Sequence, residues 1–305
     1  MDIQELSEQK DNRMADSIYK VAFLLSYDYD LLKTSIPLVY DNADIIVLAK
    51  DSECRTWSGN HFVIDPDFYS WIKEIDKNKK IIIYEDNFYL PELNQLQNDT
   101  RERNMIAQFM GKGGWHIQLD ADEYFVDFPD FIEYLKSKSS FLKEPEKKPV
   151  SICLDFHTLY KKLQDSYLYT TGVPQIYPVA TNWPEYIACR DTRSIKIFSG
   201  FNMIHHSWAR TEEEMSMKLS NWTHTADFDT RSYFNMWCAI DKSNYQYIQD
   251  FHPMIKGFWN KIKLIPAISL EEVVDLFSKQ YSSRPNNLLF RIKQNYFLKK
   301  YLRKG

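Results

Sequence analysis

Glycine is scarce, with eight residues in 305. A P-loop needs the pattern G-x-x-x-x-G-K-[ST] and a dinucleotide turn G-x-G-x-x-G; the one close group, Gly111-Lys-Gly113-Gly114, fits neither, which argues against a glycine-rich phosphate loop. Cysteine is scarcer, and Cys54, Cys153, Cys189 and Cys238 lie far apart with no CxxC pair. Neither a zinc site nor a disulfide framework is indicated, and a reducing, cytoplasmic setting fits. Long apolar runs are missing as well. Val21–Leu25 and Ile45–Ala49 are strand-sized, well short of the ~20 residues of a membrane span. The first ten residues carry charges where a signal peptide needs an apolar stretch, so Asn98-Asp-Thr and Asn221-Trp-Thr read as coincidental sequons. Neither charge is in excess: 38 Lys and Arg face 42 Asp and Glu, a net charge of −4. That balance excludes a nucleic-acid binder working by bulk charge.

What is present is an ordinary core-forming composition, 44% hydrophobic, at a length that suits two domains or one large one. Aromatic residues reach 15%. Their flat apolar rings suit sugar stacking, and they equally fill cores. The first half alternates between two periods. Lys20–Ser26, Asp44–Ala49, Lys80–Tyr84 and Trp115–Leu119 read as buried strands. Leu31–Tyr40, Asp65–Lys77, Leu93–Met110 and Asp130–Lys138 read as helices. This alternation predicts an α/β fold with parallel strands and crossover helices. Ligands of such sheets bind beyond the carboxyl ends of the strands, which directs attention to Ser26–Asp30, with Ser26 and Tyr27 first, to 50–57, to 84–87 and to 120–123.

A charged, proline-flanked loop at Lys143–Pro149 breaks the pattern. Val150–Phe156 and Arg193–Phe198 then read as strands around an irregular aromatic stretch, and the chain is mostly helical from Thr211. The expected organisation is an α/β domain over 1–210 and a helical extension over 211–305. Leu288–Gly305 carries Arg291, Lys293, Lys299, Lys300, Arg303 and Lys304 among apolar residues and no acid. It reads as a basic amphipathic helix on an anionic membrane face, or as a terminal helix with a solvated basic side.

The segment with the clearest chemistry is Trp115-His-Ile-Gln-Leu-Asp-Ala-Asp-Glu-Tyr-Phe125. Residues two apart on an extended chain point the same way, so Asp120 and Asp122 are presented together. Two such carboxylates are hard oxygen ligands for Mg²⁺ or Mn²⁺, and an ion there neutralises a departing diphosphate. The bland alternative is a solvated loop with a capping Asp. His205 or, failing it, His206 offers an imidazole as third ligand, or is a core histidine bonded to backbone. Asp51 ends the second strand, as a ligand contact or a turn cap. Arg101 and Arg103 reach a diphosphate or form surface pairs. Arg210 and Lys218 hold phosphate or join ordinary helix pairs near Thr211–Glu214. Asp191, then Glu185, are the candidates for a general base, in a stretch with Tyr177, Trp183 and Tyr186.

These segments resemble glycosyltransferases of the GT-A fold, close to the large family 2. Arg101-Glu-Arg-Asn104, a helix and GGWHIQLDADEYF are similar to that family's RN…G…WILxLDADE segment. His205-His-Ser-Trp-Ala-Arg210 with Lys218 and His224 is similar to its H-x-x-W-x-R…K…H block. The likeness covers about 21–125 and 204–224. It implies a Rossmann-like, mixed, mostly parallel sheet flanked by helices. It also implies transfer of a sugar from a nucleotide-diphosphate donor, UDP-linked before GDP- or dTDP-linked, usually with inversion. The acceptor would be a saccharide or lipid-linked intermediate of cell-surface polysaccharide synthesis. Asp51 would contact the donor's base or ribose, and Asn104 matches the family's Arg-Asn pair. The first strand is followed by Tyr27-Asp-Tyr-Asp30 instead of Asn-Glu, and no QxxRW segment follows, so the resemblance assigns no base. Two other readings share these residues: a metal-dependent nucleotidyltransferase, and a sugar-binding protein that kept the fold without turnover.

Overall fold

The structure is a computed structural model that describes residues 17–221, 227–281 and 292–294. Its contacts divide the chain into two compact units. The first holds Met1–Ala121, Phe128–Cys153 and Pro178–Ser199; the second holds Asp122–Asp127, Leu154–Tyr177 and Gly200–Gly305. The division differs from an expected boundary at 210, because the chain leaves and re-enters each unit along its strands.

In the first unit, β1 (Tyr19–Leu25), β2 (Ile45–Asp51), β3 (Ile81–Asp86) and β4 (Trp115–Asp120) are buried or half-buried runs rich in Ile, Leu and Val. Continuous apolar runs of this length are what a strand covered on both faces requires. All their pairings are parallel, in the order β3-β2-β1-β4. The residues of β8 (Gln175–Thr181) at Ala180 and Thr181 add antiparallel to β4. The result is an α/β fold with a mixed, mostly parallel central sheet and helices at its sides.

The helices are α1 (Leu32–Tyr40), α2 (Pro66–Ile75), α3 (Gln95–Met110) and α4 (Phe128–Lys136). Their starts are written in the sequence. Asp65 caps α2 by accepting from the Asp67 N–H, with Pro66 in the first turn, where no N–H is needed. Asn94 and Gln97 form a capping box at α3. The far end of α3 is closed from the sheet: Lys20, fully buried in β1, donates from Nζ to the carbonyls of Met110, Gly111 and Lys112 at 2.8, 3.3 and 3.2 Å. Burial lowers its pKa to about 8.

The second unit is built from β5 (Glu123–Phe125), most of β6 (Val150–Lys162), β7 (Tyr167–Gly172), the last part of β11 (Ile195–His205) and β12 (Trp259–Ile265). Here β12-β7-β6 run antiparallel, and β11 pairs with β5. Helices α5 (Glu212–Asn221), α6 (Thr230–Ala239) and α7 (Leu270–Tyr281) complete it. Among the described residues the region after Thr211 is mainly helical, with the strand β12. The aromatic stretch expected to be irregular holds β7, β8, β9 (Tyr186–Ala188) and β10 (Asp191–Thr192).

Much of the aromatic excess is core. Tyr160, Trp208, Tyr233, Trp237, Phe251 and Trp259 share one buried cluster of the second unit with Leu168 and Met215. Among the described residues no helix is long and apolar enough to cross a membrane. Most of the basic C-terminal stretch lies outside the described residues. Lys293, which is described, turns onto buried Asp155 of β6.

Candidate active site

Strand order sets where a ligand can sit. Between β1 and β4 of the first unit the connection changes direction across the sheet, and crevices form at the carboxyl ends of strands at such a switch. Leu24 of β1 stands opposite Asp120 of β4 in register, so Ser26, Tyr27 and Asp120 all lie at that end. Ser26 and Tyr27 are half-buried, and the Ser26 carbonyl accepts from the Tyr29 N–H at 3.1 Å.

Asp120 is held by a buried guanidinium. Arg103 of α3 donates through Nη2 to Asp120 Oδ1 at 2.5 Å and through Nε to Asp99 Oδ1 at 2.6 Å. The Asp120 side chain is 33% exposed, whereas those of Arg103 and Asp99 are 2% and 4% exposed. Burial pulls the Arg103 pKa down, but Asp120 and Asp99 outweigh it and hold the pKa well above the ordinary value. Arg103 is thus a positioning residue for Asp120.

Asp51, Arg101, Asn104 and Asp191 of the first unit are engaged by the protein itself. Asp51, at the end of β2, accepts from Arg55 Nε at 2.9 Å and Nη2 at 3.2 Å. It also accepts from the backbone N–H groups of Phe88, Tyr89, Glu53 and Arg55 at 2.9–3.2 Å. Burial raises its pKa, but these donors outweigh burial and bring it below the usual carboxylate range. Asp51 ties the loops after β2 and β3 together. Arg101 donates to the Asn87 and Phe88 carbonyls at 2.6 and 2.8 Å. Asn104 bonds the backbone of Tyr186 in both directions. Glu185 is exposed, and Asp191 pairs with Lys196 at 2.6 Å.

One carboxyl of this end was missed in the sequence. Glu102, buried on α3, accepts from the indole Nε1 of Trp57 at 2.6 Å. Burial pushes its pKa up to about 8. Its signal was its place between two arginines of a helix, where an ordinary surface pair was equally expected. Asn98, the first sequon residue, is fully buried and holds the Leu90 N–H and the Trp57, Leu90 and Leu93 carbonyls.

Asp122, two residues after Asp120, has its own partners in the second unit. Its Oδ2 accepts from Arg210 Nη2 at 2.7 Å and Lys218 Nζ at 3.2 Å, and His205 Nε2 stands 3.5 Å from Oδ1. Burial raises its pKa, yet Lys218, His205 and Arg210 outweigh that and hold it well below the usual range. His206 is placed differently. Its ring lies near Tyr124 and Tyr167, at centroid distances of 6.3 and 6.2 Å, and only its backbone N–H meets Asp122, at the carbonyl, at 2.8 Å. Successive residues of an extended chain project to opposite faces, so of the two histidines His205 turns its ring to the carboxylate. Burial drops His206 to about pKa 3, a neutral imidazole.

These groups test the divalent-ion reading. An ion needs anionic oxygens. Asp122 offers Oδ1 beside one imidazole, while its other oxygen is bonded to two cations. Two unit charges 4 Å apart interact by about 4 kcal/mol at an effective dielectric of 20, and a divalent ion meets each fixed cation with about twice that repulsion. Among the described residues no group of three or more His, Cys, Asp or Glu side chains gathers to hold a metal. The donor set around Asp122 does not fit Mn²⁺ or Mg²⁺. Thr211 and Glu214 cap α5 reciprocally, at 2.8 and 3.2 Å, and His224 lies outside the described residues. No protein-family model matches this chain, and no curated protein matches its sequence.

Proposed function

We propose that this chain is a GT-A-type glycosyltransferase that moves a sugar from a nucleotide-diphosphate donor, UDP-linked by preference, to a saccharide or lipid-linked acceptor. The observation that carries the reading is Asp120. It stands at the carboxyl end of β4, in register with the end of β1, and a buried Arg103–Asp99 pair fixes it. An anionic group so rigidly aimed at the ligand end of a parallel sheet suits recognition of a bound sugar or ribose hydroxyl.

In an inverting transfer the acceptor hydroxyl oxygen attacks the anomeric carbon as its bond to the donor phosphate oxygen breaks. The diphosphate leaves with the electron pair, and a base takes the hydroxyl proton. Asp191 is the first candidate for that base and Glu185 the second. Charge growing on the diphosphate needs fixed positive groups. Work on lipid-linked acceptors would suit a basic C-terminal stretch lying on a membrane face.

The test is calorimetric binding of UDP, GDP and dTDP to the wild type and to Asp120→Asn, followed by release of free nucleotide from the matching sugar donor. One nucleotide bound by the wild type, with turnover lost in Asp120→Asn, supports the reading. A folded chain that binds none of the three overturns it. Binding without any turnover leaves a sugar-binding protein on the same fold.

A further inference from the structure

We infer that Lys218, fixed with Arg210 on Asp122, takes the place of a divalent ion in this chain, so that it binds a diphosphate without metal. This deepens the glycosyltransferase reading and rests on it.

Two cations share one carboxylate oxygen. Oδ2 of Asp122 accepts from Arg210 at 2.7 Å and from Lys218 at 3.2 Å. A carboxylate meant to hold a metal keeps its oxygens for the ion; this one is bonded to side-chain cations that repel an ion. Their placement is built into the fold. Arg210 is fixed twice, since its Nε also donates to the Ser207 carbonyl at 3.2 Å. Lys218 lies on α5 with Met215 and Leu219, three residues before and one after it, and all three are buried. The capping pair Thr211–Glu214 sets the start of that helix.

The two cations differ in access. The Arg210 side chain is 2% exposed and serves as a positioning residue. Lys218 is 10% exposed, and its neighbour at Asp122, His205, is 27% exposed. An ammonium on a flexible stem is a phosphate binder in its own right, acting as a point charge. Asp122 accepts from Lys218 Nζ at 3.2 Å, so the ammonium, with further N–H donors of its own, is held in place without a metal.

The experiment measures UDP binding to the full chain by calorimetry in EDTA and again in excess Mn²⁺, for the wild type and for Lys218→Gln, with circular dichroism on each. The expected result is the same UDP affinity in both buffers for the wild type, and affinity at least about tenfold weaker in Lys218→Gln, the loss of one charge-assisted hydrogen bond. UDP binding that requires Mn²⁺ overturns the inference and leaves the glycosyltransferase reading standing. Failure to bind UDP, GDP or dTDP in either buffer overturns both. If Lys218→Gln does not fold, the wild-type comparison between EDTA and Mn²⁺ decides alone.

Discussion

Asn104 treats Tyr186 as a neighbouring strand would: its Nδ2 donates to the Tyr186 carbonyl at 2.9 Å, and its Oδ1 accepts from the Tyr186 N–H at 3.0 Å. Thr100, one turn earlier on α3, accepts from the Cys189 N–H at 2.9 Å. A helix thereby supplies the hydrogen bonds that β9 lacks on that side. Asn104→Ala leaves two backbone groups without partners, at about 1–3 kcal/mol where they are buried. Hydrogen exchange at 186–189 should speed up while exchange in β1 and β4 stays slow. Unchanged exchange at 186–189 would show that the pairing is incidental.

Arg103 spans Asp99 and Asp120 with two different nitrogens, which a lysine cannot reproduce. Arg103→Lys should lower stability by about 3–5 kcal/mol, the cost of leaving a buried charge short of its partner. It should also weaken nucleotide binding by releasing Asp120. Denaturant unfolding reads the first effect and calorimetry the second. Full stability in the variant would mean that Asp99 is accommodated in some other way.

Glu102 gives a pH dependence with a definite sign. Its folded pKa of about 8 lies above the ordinary carboxyl value of about 4.3. The folded state therefore holds a proton that the unfolded chain has released. Its contribution to stability is complete below the unfolded value and is lost as pH rises through that window to about 8. Glu102→Gln, which still offers an oxygen to Trp57, should flatten this limb and stabilise the chain at pH 8. Thermal melts of both proteins from pH 5 to pH 9 check it, and parallel curves would sink the assignment.

Gly114 precedes β4 with φ of +73°, and a Cβ there would lie 2.6 Å from the Ile18 carbonyl oxygen and 2.8 Å from that of Ser17. The Ile18 oxygen is the acceptor for the Trp115 N–H. Gly113, with φ of +82°, has nothing within 4 Å of the same position. Gly113→Ala should cost about 1–2 kcal/mol for the left-handed backbone. Gly114→Ala should cost clearly more, since a strand must shift as well. Equal melting temperatures for the two variants would refute this.

The first unit was legible because its strands centre on apolar runs, buried in β1, β2 and β4 and half-buried in β3. VAFLL, IIVLA and IIIY are unbroken apolar runs, and helix starts carry Asp65-Pro66 and Asn94-x-x-Gln97 in plain view. The second half was less so. β8 carries Pro178 and half-buried positions, and β9 and β10 span only three and two residues, too short for any period to register. At the candidate site, Asp120 could be found from the strand that ends in it, and the Asp99–Arg103 pair from its i,i+4 spacing. What occupies Asp51 could not: its partners include the Phe88 and Tyr89 N–H groups, 37 and 38 residues away. The same holds for Asp122, whose two cations come from 88 and 96 residues downstream.

The aromatic cluster of the second unit has an optical consequence. Trp208, Trp237 and Trp259 are buried together, and Trp208 lies 5.1 Å from Tyr233 and 6.0 Å from Trp259 between ring centroids. Indoles locked in a dry, asymmetric setting give a near-ultraviolet dichroism signal that vanishes when packing loosens. Their emission shifts to the red as water enters. The second unit therefore carries its own unlabelled reporter of melting, built from the residues that make its core.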